Sequence, residues 1–349
     1  MIVTYNHREY IERCLNSIFN LSSDIIIVDN KSTDGTVEYI KQNYPDVKLI
    51  ENSQNLGYGT SVNLGVEHSH NKYLVLMNPD IWAEDNFIDE LLKPLENNEN
   101  LITTPKALIY DGSKINTCGN ILHFTGLAFT RGLGAEREDF DEVNYVSGLS
   151  GVCFAVRRDL FQGIGGFNES IFLYMEDAEL SWNINSRDLK IMYVPSSIIY
   201  HDYVFKVPAE KIYHLERGRY TILNSYFTWR EFLMFLPSLM VAELFTWGYS
   251  LINGYSGIKH KTRAMRDSRR KDVENKDYDL GNLIKSFEWA IPEGQIRYFF
   301  FDKFIRKIGN FIFFMNYKSI LKLENLKKTQ TPTLHEIELP DEIPGKKIH

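Results

Sequence analysis

Apolar and polar positions alternate along the first part of the chain in a way that predicts strands and helices in turn. Met1 to Thr4 is a short apolar strand. From Glu9 to Phe19 the apolar residues Tyr10, Ile11, Leu15, Ile18 and Phe19 recur at helical spacing. Asp24 to Asp29 reads as a second strand. Asp34-Gly35 turns the chain into a helix over Thr36 to Tyr44, which Pro45-Asp46 breaks. Val47 to Glu51 is a third strand, Gly59 to Ser69 a helix, and Tyr73 to Asn78 (YLVLMN) a fourth strand. Alternation of this kind predicts right-handed βαβ crossovers and a mostly parallel sheet flanked by helices.

Leu101 to Tyr203 is less regular, with glycine patches at Gly148 to Gly151 and Gly163 to Gly166. An acidic cluster follows at Glu176, Asp177 and Glu179, then strand-like stretches at Lys190 to Val194 and Ser197 to Tyr200. A loop-rich half suits substrate binding. From about Glu210 the character changes. Phe232 to Ile252 is nearly apolar and long enough for a membrane span, but Pro237 and Glu243 lie inside it, and a glutamate is costly in lipid. A basic run follows at Lys259 to Lys271. Arg297 to Leu326 then mixes aromatics (Tyr298 to Phe301, Phe304, Phe311, Phe313, Phe314) with Lys303, Arg306, Lys307 and Lys318. That mixture predicts helices lying in a membrane interface, with a helical subdomain packed on the core or on a second subunit as the alternative.

Composition narrows the picture. At 349 residues the chain can bury a large core, and 44% hydrophobic with 24% charged is an ordinary globular balance. A net charge of −7 argues against nucleic acid as the main partner. Cys14, Cys118 and Cys153 are far apart, with no CxxC pair, so they read as reduced core residues and not as zinc ligands or a disulfide framework. The first residues enter a strand at once, without the basic segment and long apolar run of a secretory signal, and a cytosolic face is expected.

Candidate chemistry sits at strand tips. A buried strand that ends in Asn78-Pro79-Asp80 delivers a carboxylate to the edge where open α/β sheets bind ligands. Asp80 suits a divalent cation on a diphosphate, with a turn role as the alternative. Asp29, at the tip of the second strand, suits a pyrimidine imide or a ribose, against a cap or turn aspartate. Glu176 and Asp177 suit a general base or the acidic first turn of a helix whose buried face holds Leu180 and Ile184. His201 suits a metal ligand or a structural histidine. Asn55 to Gly59 is a loop before a helix N-terminus, able to approach a phosphate. No GxGxxG follows the first strand, which argues against a dinucleotide fold.

Taken in order, Val3 to Asn6, Ile26 to Thr36 (IIVDNKSTDGT), Asn55 to Gly57, Leu76 to Asp80 (LMNPD), Gly165 to Glu169, Phe172 to Asp177, Val194-Pro195 and His201 resemble the family 2 inverting glycosyltransferases of GT-A fold, especially the rhamnosyltransferase-like branch. The resemblance covers about Met1 to Tyr203. It implies that Thr4, Tyr5, Asn6, Asp29, Asn55, Gly57, Asn78 and Asp80 bind the nucleotide. It further implies that Asp80 and His201 hold Mg2+ or Mn2+, and that Asp177 is the base beside Glu176. Gly151, Gly166, Phe167 and Trp182 fall on the acceptor or donor-sugar side, Trp182 with a core position as its stronger alternative. Asn78 stands where the family's DxD motif has its first acid. The stretch Glu179 to Asn183 lacks the arginine common in relatives, and the first strand begins at residue 1.

The fold expectation is therefore an α/β GT-A sheet with a helical C-terminal extension. Residues 1–209 would be catalytic, with a nucleotide-sugar half at 1–104 and an acceptor half at 105–209. A membrane-associating helical region would follow at 210–328, and a polar tail at 329–349. The implied donor is a UDP- or dTDP-linked sugar. The implied acceptor is a glycan or polyprenyl-linked glycan at the cytosolic face of the membrane. A homo-oligomer is compatible. A nucleotidyltransferase or a catalytically inactive sugar-binding scaffold are the alternatives.

Overall fold

The computed structural model describes residues 1–21, 24–202, 209–268, 278–293 and 302–328. Tyr298 to Phe301, the end of the basic run at 269–271, and the tail at 329–349 lie outside the described residues.

The first half alternates strand and helix, as the apolar pattern requires: β1 (Ile2–Thr4), α1 (Arg8–Ile18), β2 (Ile26–Asp29), α2 (Thr36–Asn43), β3 (Lys48–Glu51), α3 (Tyr58–Glu67) and β4 (Tyr73–Met77). Strands β1 to β4 lie in the order β4-β1-β2-β3 and pair in parallel throughout. Helix α1 buries Ile11, Cys14, Leu15 and Ile18, the face its spacing marks out. All three cysteines are buried and unbridged.

The chain continues through β5 (Ile81–Ala83), α4 (Phe87–Asn97), β6 (Leu101–Ile109), β7 (Ile115–Thr117), β8 (Asn120–Leu122), β9 (Ala128–Thr130), β10 (Asn144–Tyr145), β11 (Cys153–Arg157), α5 (Arg158–Gly163), α6 (Glu176–Ser186) and β12 (Lys190–His201). The full order is β10-β12-β6-β11-β4-β1-β2-β3. Strand β11 runs antiparallel to both of its neighbours, β4 and β6, while β12 pairs in parallel with β6, so the C-terminal ends of β1, β2, β4 and β12 share one edge. The two strand-like stretches around Pro195 are one bulged strand, with the register slipping between Val194 and Ile198 where proline offers no N–H.

Beyond it come α7 (Ala209–Tyr226), α8 (Trp229–Ile252), α9 (Gly254–Asp267), α10 (Leu280–Ser286) and α11 (Asp302–Lys328). Helix α8 opens on a capping box between Thr228 and Glu231. Among the described residues it is the one helix long and apolar enough to cross a membrane. Its Glu243 is not turned outward. Arg219 of α7 donates to it, and Lys261 of α9 stands 3.2 Å away. The same two cations hold the buried Glu216. Two apolar clusters sandwich the sheet. A third joins Trp182 of α6 to Tyr226, Phe227, Phe235, Phe287 and Phe313, so the helical region and α6 share a core.

Candidate active site

The edge formed by β1, β2, β4 and β12 collects the polar side chains that the motifs single out. At the tip of β2, Asp29 is 1% exposed. Its Oδ1 accepts from Thr4 Oγ1 at 2.8 Å and Ser32 Oγ at 2.5 Å, and its Oδ2 accepts from the Ser32 N–H at 2.8 Å. The carboxylate therefore shapes the turn and ties the first two strand tips together, with one acceptor position of Oδ2 remaining. Asn6, at φ 59°, donates its N–H to Ser32 Oγ and accepts from the Thr33 N–H, which laces the loop after β1 to the loop after β2. Tyr5 is exposed beside it.

Asn30 is the hub of the next loop. Its Oδ1 accepts from Asn52, Ser61 and the Leu56 N–H, and its Nδ2 donates to the Gly57 carbonyl. Asn55 Oδ1 accepts from the Gly57 N–H at 2.9 Å. Gly57 has φ 86°, and a Cβ there would stand 2.4 Å from the Phe172 carbonyl oxygen. Only glycine lets the two segments touch.

Asp80 and His201 lie side by side. Strand β5 pairs antiparallel with the end of β12, setting Ile81 opposite His201. His201 Nε2 lies 3.2 Å from Asp80 Oδ2, and its Nδ1 lies 2.9 Å from Asn116 Oδ1. An amide oxygen only accepts, so Nδ1 carries a proton toward Asn116, and this contact fixes the ring with Nε2 directed at Asp80. Asp80 Oδ1 is buried with no hydrogen-bond partner among the described residues. Burial opposes charge on Asp80, but the His201 contact outweighs it and holds the carboxyl below its ordinary value. An orphaned carboxylate oxygen beside an oriented imidazole fits a divalent cation. Among the described residues no three His, Cys, Asp or Glu side chains converge. His7 stands close, its imidazole pulled down by burial against the fields of Asp80, Asp34 and Asp29.

The acid pair opens α6. Tyr174 and Met175 precede it at φ 59° and 67°, both strained for residues with side chains. Asp177 Oδ2 accepts from the Gly151 N–H at 3.0 Å and Asn120 Nδ2 at 2.9 Å, while Oδ1 accepts from the Ala178 N–H at 2.8 Å. Glu176 Oε2 is buried without a partner among the described residues. Burial, then the charge of Asp177, pushes the Glu176 carboxyl up to about 8. Burial raises Asp177 as well, but its three N–H donors favour the anion. One proton on the pair therefore resides on Glu176 and the charge on Asp177. Gly151 precedes Val152, whose carbonyl accepts the Asn78 N–H, so the acid pair and the β4 tip are joined within a few residues. Lys211 of α7 faces the pair, its ammonium lowered by burial and held up by Asp177 and Glu176.

Two side chains placed on the sugar side belong instead to the core. Trp182 is fully enclosed by Tyr226, Phe227 and Phe287, and Phe167 packs edge-on to Phe154 and Phe161. Helix α6 turns Trp182 toward α7 and away from the sheet edge. Gly166 sits against Asn63, where a Cβ would be 2.5 Å from Oδ1. Asn116, Asn120, His7 and Lys211 carry no motif and are found only by proximity, and Asn30, though inside the Ile26 to Thr36 motif, shows its role as a hub only in the folded chain.

The sequence model described as "Glycosyl transferase family 2" matches residues 1–165. A curated Mycobacterium tuberculosis protein, N-acetylglucosaminyl-diphospho-decaprenol L-rhamnosyltransferase, is 30% identical over 241 residues, which span 61% of this chain and 78% of the relative. The chain belongs to glycosyltransferase family 2. Among solved structures, residues 1–349 of Staphylococcus aureus TarS superpose with a TM-score of 0.51 at 14% identity, over 97% of this chain and 93% of that fragment. GalNAc-T7, solved with UDP, GalNAc and Mn2+, gives a TM-score of 0.54 at 16% identity, over 76% of this chain and 55% of that one. These likenesses fix the GT-A fold of this family 2 glycosyltransferase. Its rhamnosyltransferase-like branch follows from the curated relative, and family membership sets aside the nucleotidyltransferase alternative.

Proposed function

We propose that this glycosyltransferase inverts the anomeric centre as it moves a sugar, rhamnose or another hexose or deoxyhexose, from a UDP- or dTDP-linked donor to a lipid-linked glycan. The acceptor class follows the printed name of the mycobacterial relative, which specifies a decaprenol diphosphate. The observation that carries the reading is the acid pair, with a charged, triply hydrogen-bonded Asp177 on the same sheet edge as Asp80 and His201.

Asp177 takes the acceptor hydroxyl proton as its oxygen bonds to the anomeric carbon, and the bond from that carbon to the diphosphate breaks. Glu176 keeps its proton and leaves the negative charge on Asp177. No covalent enzyme intermediate is needed, so one base is enough. Asp80 and His201 would hold Mg2+ or Mn2+, with the diphosphate completing the shell. When bound, such a cation neutralises charge on the leaving group. Thr4, Tyr5, Asn6 and Asp29 would hold the nucleoside, with Asn55 and Gly57 shaping the adjacent loop and Asn78 beside the diphosphate. Gly151 lies on the acceptor side through its hold on Asp177. Residues 1–209 would carry catalysis and 210–328 the membrane association, with the enzyme working on the cytosolic face.

Asp177→Asn tests the base. Transfer is expected to fall by about 10²- to 10⁴-fold, while thermal shift with the nucleotide diphosphate and Mn2+ stays as in the wild type. Transfer that survives the substitution overturns the assignment.

A further inference from the structure

Helices α8 and α11 pack antiparallel. Gly309 lies where a Cβ would stand 2.8 Å from the Phe245 ring, and farther along Asn316 bonds to Ser238 Oγ and the Met234 carbonyl. Their contact rows are therefore 234/238/241/245 on one helix and 309/313/316/320 on the other. At 100° per residue, Leu233, Leu236, Met240 and Leu244 form a row about a third of a turn from the first contact row. Phe304, Ile308, Phe311 and Met315 stand in the same relation to the second. All eight are exposed. In an antiparallel pair two rows displaced in this sense emerge on the same side, so they make one continuous apolar face.

Lys307 and Lys318 fall on the outer flank of that face, and Lys322 extends its α11 row; all three are exposed. The acids of α8 are engaged elsewhere, Glu231 in the cap and Glu243 with Arg219 and Lys261. A second copy would thus meet the lysine edge with no free acid from α8. The chain as a whole carries −7, so this edge is a local reversal of sign.

We infer that the α8–α11 face docks on an anionic lipid bilayer, lying in the interface plane with the lysine edge at headgroup level. An apolar stripe with basic residues beside it is the chemistry of an interfacial helix. Because the net charge is negative, an anionic surface attracts the molecule through this side and repels it through others, which orients the enzyme. The inference rests on the lipid-linked acceptor proposed above and specifies the surface that reaches it.

The test uses the full chain with vesicles of phosphatidylcholine alone or mixed with phosphatidylglycerol. Sedimentation with the anionic vesicles is expected, weakened by salt. The double variant Met240→Glu/Phe311→Glu is expected to lose about tenfold or more in vesicle affinity, and Lys307→Glu/Lys318→Glu to lose the preference for anionic lipid. Thermal shift with nucleotide, and transfer to a soluble acceptor, report on the catalytic reading separately and should be unchanged in both variants. Vesicle binding untouched by the double variant overturns the inference. So does a wild-type dimer that the double variant dissociates without vesicle binding, or a chain that leaves membranes only with detergent.

Discussion

The acid pair is where single residues decide the chemistry. Burial lifts Glu176 from 4.5 to about 8, so the folded state binds a proton that the unfolded chain has already released. Stability from the protonated form is full below pH 4.5 and is lost as pH rises toward 8. Glu176→Gln carries no such proton, so its melting temperature should gain on the wild type from pH 5 to 8 and level off above. A difference that stays constant with pH would show that Glu176 is already charged. At the tip of β4, Asn116 touches His201, the proposed metal ligand. Asn116→Leu leaves Nδ1 unpaired and is expected to weaken Mn2+ binding by about 10- to 100-fold in titration calorimetry with UDP present, while Asn116→Asp retains it. Equal affinity in Asn116→Leu removes His201 from the ligand set. Asp80 and Asp177 could be read from the chain because each ends or begins a regular element. Asn116 and Asn120 could not, since an asparagine in a short strand has no periodic signature and acquires its role from a neighbour far away in sequence.

Elements show a similar division. Four parallel strands and their helices followed from apolar spacing, since a buried strand and an amphipathic helix each impose a period. Strand β6 was hidden because Thr103, Thr104, Pro105 and Lys106 interrupt its apolar run, although all but the proline are among the buried polar residues. Lys106 is satisfied at depth by the carbonyls of Arg137 and Asp139 and by Asp141. Loop geometry is equally non-local. Gly57 brings the loop before α3 against Phe172, and the Tyr58 N–H donates to the Phe172 carbonyl at 3.1 Å. Gly57→Ala meets both an unfavourable φ and the Phe172 oxygen. A loss of about 1–3 kcal/mol is expected in urea unfolding, with a weakened thermal shift on adding nucleotide. Unchanged values would mean the two segments move apart at no cost.

Across the whole molecule, the helical region completes the core beneath α6. Gly218 of α7 packs so tightly on Met175 that a Cβ there would lie 2.5 Å from the Met175 Cβ, so the strained residues before the acid pair are held by α7. Arg219 and Lys261 lock α7, α8 and α9 through Glu216 and Glu243, and breaking such a buried group leaves uncompensated charge. A chain ending at Asp202 would expose Trp182, whose burial alone is worth about 3–5 kcal/mol on truncation to alanine. That fragment is expected to bind hydrophobic dyes and to lose a cooperative urea transition. Sharp unfolding of a soluble fragment would show that the sheet folds without α7 and α8.

By itself the sequence determined the α/β alternation, the edge that carries Asp29 and Asp80, the acidic start of α6, and the family, because each is written in local spacing or ordered motifs. Tertiary structure decided that Trp182 and Phe167 belong to the core, that Glu243 points into an ion cluster, and that Asn30, Asn116 and Asn120 orient the site. Those outcomes depend on which side of a helix meets which neighbour, and on polar groups finding partners across long stretches of chain. A one-dimensional pattern records that a residue must be buried or paired; only the packed molecule records with what.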